Sequence, residues 1–110
     1  MGRKRQGITQ VGVTPEDKKA IDGVFRMFDT IGLPLDIILD QLHERDLVVS
    51  WKHFFRDALK AGWTLKTTMN RVTIAVRDAY LPDYADEVVK RLELLKERIE
   101  SDGGMEWLNK

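Results

Sequence analysis

The stretch Lys60–Val72, KAGWTLKTTMNRV, decides how the centre of this chain folds. It places Gly62 directly behind one run of helix-spaced apolar residues and opens another at Leu65. Ser50 is a favoured N-cap type, and Trp51, Phe54, Phe55, Ala58 and Leu59 fall on one helical face behind it. The spacing predicts a helix from Ser50 to Ala61, ended by Gly62. A further helix is expected from near Leu65 to Tyr80, burying Leu65, Met69, Val72, Val76 and Ala79. Gly62-Trp63-Thr64 is then a short break between two helices.

The pattern extends in both directions. Pro82 and Asp83 open a last long helix, with Ala85, Val88, Leu92, Leu95 and Ile99 spaced three and four apart, and Gly103-Gly104 ends it. Upstream, Pro34 starts a helix whose inward face is Leu35, Ile38, Leu39 and Leu42. Thr14-Pro15-Glu16-Asp17 has the cap, the proline and the carboxylates of a helix start. From it Ile21, Val24, Phe25, Phe28 and Ile31 repeat at helical spacing as far as Gly32, a natural C-cap. Residues 8–13, ITQVGV, lean towards a short strand, which Gly12 weakens. The expected fold is all-α, a compact bundle of about five helices behind one short strand. Residues 1–13 are a basic N-terminal arm and residues 14–110 a single helical domain.

The totals suit that reading. The chain has 110 residues, 43% hydrophobic and 33% charged, enough for one core and a soluble surface. Without cysteine there is no disulfide framework or thiolate metal site. No apolar run approaches the roughly 18 residues of a membrane span. The basic start MGRKRQG is followed by no apolar h-region, so a secretory signal is not expected. A cytoplasmic protein with no membrane partner is the expectation. The net charge is zero but unevenly spread. Residues 48–78 carry six Lys and Arg against two Asp and Glu, a net of +4, whereas residues 79–110 carry five against eight, a net of −3. A basic segment beside acidic ones is what a directional electrostatic footprint looks like.

No phosphate-binding glycine loop, nucleophile elbow or paired-carboxylate site is present, and an enzyme is not expected. His53 with Asp57, and Asp40 with His43, each sit one helical turn apart and would offer a metal two ligands, without a third at fitting spacing. No metal or cofactor is expected. Helical spacing assigns Trp51, Phe54 and Phe55 to the core rather than to a base-stacking platform. Trp63 follows the helix-ending glycine, and Trp107 lies beyond Gly103-Gly104, placed to fold back or to meet a partner.

Ala58 and Gly62 are a small residue and a glycine four positions apart at the break, and in this the segment resembles a helix-turn-helix. The helix after the break then shows Thr67, Asn70, Arg71 and Ile74 outward, flanked by Lys66 and Arg77. The resemblance implies that these residues enter a DNA groove, where Asn and Arg bond adenine and guanine edges. Val11–Asp22 with Gly32–Ile38 resembles the ribbon-helix-helix regulators of plasmids and phages, which implies a strand pairing across a dimer with Ile8, Gln10 and Gly12 outward. GLPLDIILDQL followed by FFRDALKAG resembles the helix-turn-helix segment of phage terminase small subunits. There the would-be recognition helix exposes Asp36, Asp40 and Glu44, which phosphates repel, so the groove falls to the later helix.

The expectation is therefore a non-enzymatic protein that binds double-stranded DNA, a regulator or packaging accessory of mobile-element type. Arg3, Lys4 and Arg5 of the arm, with Lys52, Arg56 and Lys60, would anchor phosphates; Lys66, Thr67, Asn70, Arg71 and Arg77 would work at the groove. A homodimer or larger homo-oligomer is expected through Val88, Leu92, Leu95 and Ile99. The alternative is a helical protein–protein adaptor or inhibitor. Convergence of the basic residues on one face favours DNA, and their scatter favours the adaptor.

Overall fold

The computed structural model describes residues 9–13 and 18–108. β1 (Thr9–Val13) runs antiparallel to β2 (Lys19–Asp22), with Gln10 opposite Ile21 and Gly12 opposite Ala20, the register slipping at Val11. β2 runs parallel to β3 (Leu47–Val49), with Ile21 opposite Val49. The protein is thus mostly helical with a three-stranded sheet of order β1-β2-β3, rather than purely α. A parallel pair needs a long crossover, and the two helical segments between β2 and β3 supply it. Thr9–Val13 belongs to this sheet, so the sequence-based arm does not extend to residue 13.

The expected first helix is the main correction. Lys19–Asp22 is strand, because pairing on both edges and burial of Ile21 outweigh a helical spacing to which this segment contributes only Ile21. Gly23, at φ 95°, turns the chain from strand to helix, and its N–H donates to Asp22 Oδ1 at 2.6 Å. Only α1 (Val24–Arg26) follows, running into a π-helical turn at Met27–Ile31 that ends at Gly32. The wider π turn rotates its last residue off the Phe25 face, leaving Ile31 61% exposed where the helical pattern had it inward. The helix start read at Thr14–Asp17 lies outside the described residues.

The later helices stand where their spacing predicts. Leu35, Ile38, Leu39 and Leu42 of α2 (Leu35–Glu44) are buried. So are Phe54, Phe55 and Ala58 of α3 (Trp51–Lys60), with Trp51 and Leu59 packed at the edge of the core. α4 (Leu65–Ala79) packs against α2 and α5 (Pro82–Ser101). Its core face includes Ala75 and Thr68, which the apolar pattern passes over, and leaves Leu65, Met69 and Ala79 half-buried. Thr68 is tolerated inside because its hydroxyl donates to the Thr64 carbonyl at 2.8 Å. Gly103 and Gly104, both at positive φ, turn the chain into α6 (Met105–Leu108), whose Leu108 re-enters the core.

The dimer seam is also revised. Val88, Leu92 and Ile99 are 0–4% exposed within the single chain, and Leu95 packs on the same core. Side chains with no surface left cannot bury more against a second copy, so this row holds α5 to its own domain. Val89 lies inside as well, and only Leu94 stands out, 63% exposed. Among the described residues no helix is long and apolar enough to cross a membrane.

Candidate nucleic-acid interface

The turn between α3 and α4 is fixed by three local devices. Gly62 takes φ 99°, a region that side chains other than glycine rarely adopt, and its N–H donates to the Leu59 carbonyl at 3.1 Å. The Trp63 N–H donates to the Ala58 carbonyl at 3.0 Å. Thr64 caps α4, its Oγ1 accepting the Thr67 N–H at 3.0 Å. Trp63 closes the base of the core, its ring 5.3 Å from Phe25 and 5.9 Å from Phe28, both edge-on.

Because α4 buries one face on α2 and α5, its other face is open. Lys66, Thr67, Asn70, Arg71, Ile74 and Arg77 are all exposed there, Ile74 by 62%. The row is not electrostatically free. Arg77 Nη1 lies 2.8 Å from Asp86 of α5, and Arg71 shares a groove of about 220 Å3 with Ile74, Asp36 and Asp78. The Arg71 guanidinium also stands 5.5 Å from the Trp63 ring centre, which holds it near the start of the helix. The cation that sequence reading aimed at base edges therefore borders a groove that also carries two carboxylates. Asp78 was legible as a neighbour, seven positions on and so on the same face. Asp36 was not, since nothing local says that α2 meets α4.

The basic residues of α3 divide. Arg56 is half-buried, bonded to Asp57 at 2.9 Å and Asp22 at 3.1 Å. The bond to Asp57 raises its pKa most; burial lowers it by less than the two carboxylates together raise it. As placed, Arg56 ties α3 to β2 and does not stand out as a phosphate anchor. Lys52 turns to Trp107, its Nζ 4.8 Å from the ring centre, and Arg98 approaches the same ring at 5.0 Å. Trp107 has folded back onto the bundle. Lys60 remains exposed at the end of α3, beside an open groove shared with Arg26, Asp29 and Asp57. Arg3, Lys4 and Arg5 lie outside the described residues. The basic residues of α3 and α4 therefore do not converge on one face: those of α4 share its outward side, while Lys52 and Arg56 are engaged by α6 and β2.

Of the two candidate metal pairs, His53 and Asp57 are engaged with other side chains. His53 Nδ1 meets Ser50 Oγ at 2.6 Å, so Ser50 closes the start of α3 through histidine rather than through a backbone amide, and Asp57 is held by Arg56. Comparison of the chain with protein-family models, with curated proteins and with solved structures returns no match.

Proposed function

We propose that the protein binds double-stranded DNA through the outward face of α4, in a regulatory or packaging role, without catalysis. One observation carries the reading: a 15-residue helix, packed along one side, presents Thr67, Asn70, Arg71 and Ile74 in an unbroken exposed row between Lys66 and Arg77. Asn70 and Arg71 have the donor geometry for purine edges, Ile74 suits a thymine methyl, and the outer cations suit phosphates. Lys60 extends the positive charge to the end of α3. Asp78 and Asp86 limit affinity and favour a register that keeps them off the backbone.

A gel-shift titration against random duplex at two salt concentrations tests this. Log affinity should fall with log salt at roughly 0.9 per phosphate contacted. A second reading, an adaptor for a protein partner, draws on a specific observation. The carboxylates Asp36 and Asp78 frame Ile74 in a groove, while Lys52 and Arg56 are turned to other elements. The absence of any shift with duplex at low salt would select that reading.

A further inference from the structure

The π turn at Met27–Ile31 separates two grooves. On one side Phe28 lines the groove that holds Arg71 and Ile74 of α4. On the other, Asp29 and Thr30 join Phe25 and Arg26 of α1 in walling a larger groove, open to solvent and about 340 Å3 in volume. Its far wall is Asp57, Lys60 and Ala61 at the end of α3. Phe25, which lines this second groove, has its ring 5.3 Å from that of Trp63, and Arg71 stands 5.5 Å from the Trp63 ring centre. The groove therefore adjoins the entry to α4.

Its two cations are available. Arg26 and Lys60 are both exposed, and neither has a hydrogen bond, ion pair or ring contact with another described residue. Lys60 is not needed to close its own helix. The carbonyls of Asp57, Ala58 and Leu59 already accept the N–H groups of Ala61, Trp63 and Gly62 respectively. Of the two carboxylates in the groove, Asp57 is bonded to Arg56 at 2.9 Å, which leaves Asp29 alone against two cations. Thr30 adds a hydroxyl that can donate.

An excess of one positive charge, spread over donors from two elements, matches a phosphate diester, which carries one negative charge on two free oxygens. Position agrees with charge. A helix seated in a major groove about 12 Å wide has a sugar-phosphate backbone along each flank. Gly62-Trp63-Thr64 leads directly from the wall of this groove, at Ala61, into the first turn of α4.

We propose that Arg26 and Lys60 together clasp one backbone phosphate of a duplex, with Thr30 as a further donor, resting on the reading of α4 as the helix that enters the DNA groove. Arg26 is then a DNA contact supplied by α1. The contact positions the duplex without reading it, because a phosphate is the same at every base pair.

The test is a salt series of duplex titrations by fluorescence anisotropy with the full chain. In the double variant Arg26→Gln, Lys60→Gln the slope of log affinity against log salt should flatten by roughly 0.9, the loss of one phosphate, on every duplex alike. At 0.1 M salt that corresponds to roughly eightfold weaker binding. Thermal melting should not move, since both side chains are exposed. Lys90→Gln removes an exposed cation of α5 outside the groove and should keep the wild-type slope. On the 15N-labelled wild-type chain, duplex should shift the amides of Arg26, Thr30 and Lys60 together with those of α4.

The proposal is overturned if the double variant keeps the wild-type slope, or if Lys90→Gln flattens it as much. A loss near 1.8, twice the expected value, would put the two cations on separate phosphates and overturn the shared clasp. Wild-type chain that binds duplex and loses its base preference in Asn70→Ala, Arg71→Ala, yet shows no shifts at Arg26, Thr30 and Lys60, overturns this proposal alone. Wild-type chain that does not bind duplex at low salt overturns the reading of α4 and this proposal with it.

Discussion

Arg56 Nη2 lies 3.1 Å from Asp22 Oδ2, while Asp22 Oδ1 accepts the Gly23 N–H at 2.6 Å. One carboxylate thus holds both the residue that turns β2 into α1 and the helix that packs beneath it. Arg56→Ala should cost about 1–2 kcal/mol, the range for a hydrogen bond to a charged group discounted for partial exposure. A thermal melt should fall by several degrees, at roughly 4–8 °C per kcal/mol for a domain near this size. Duplex affinity lost without any change in melting would return Arg56 to the role of phosphate anchor.

Leu92 has no exposed surface, so Leu92→Asp should unfold the chain rather than divide an oligomer. A buried, unpaired carboxylate costs several kcal/mol, against a total stability of roughly 5–15. Circular dichroism should show loss of helix. A smaller particle that stays helical would restore α5 as an interface.

The double variant Asn70→Ala, Arg71→Ala separates binding from folding. Arg71 loses its contact over Trp63, worth about 0.5–1 kcal/mol at an exposed site, and Asn70 should lose almost nothing. Specific duplex binding should weaken by roughly 1–3 kcal/mol for each base contact removed. Val72→Asp, two turns into the same helix but at 0% exposure, is the unfolding control. Unchanged affinity in the double variant would remove α4 from the interface.

Asp78→Asn discriminates the two functional readings by sign. Removing a carboxylate from the groove beside Arg71 should strengthen duplex binding and steepen its salt dependence. A protein partner with basic residues seated there would instead be bound more weakly, as titration calorimetry would show.

The helices were legible because each carries a local signal. Leu35, Ile38, Leu39 and Leu42 repeat at helical spacing, Gly32 and Gly62 end runs at positive φ, and Pro82 opens α5. The sheet was not. Leu47–Val49 has three residues and Lys19–Asp22 four, too few for an alternating pattern, and their pairing is decided by residues far away in sequence. The outward face of α4 could be read from the helix alone. The engagement of Lys52 by Trp107, of Arg56 by Asp22 and of Arg77 by Asp86 could not, because each partner arrives from another element.

The central position of β2 bears on the order in which the chain assembles. Its ladder to β1 closes a short hairpin, whereas its ladder to β3 joins Lys19 to Leu47 across 28 positions. Closing a loop in a flexible chain costs about (3/2)RT ln n in entropy, and folding α2 first shortens the span that must be closed. The parallel rung should therefore form late, and the refolding rate should resemble that of mixed α/β domains rather than the faster helical bundles. The Ser50 N–H, donating to the Ile21 carbonyl at 2.8 Å, sits just past the end of β3. Its hydrogen-exchange protection should appear only after the amides of α2 are already protected.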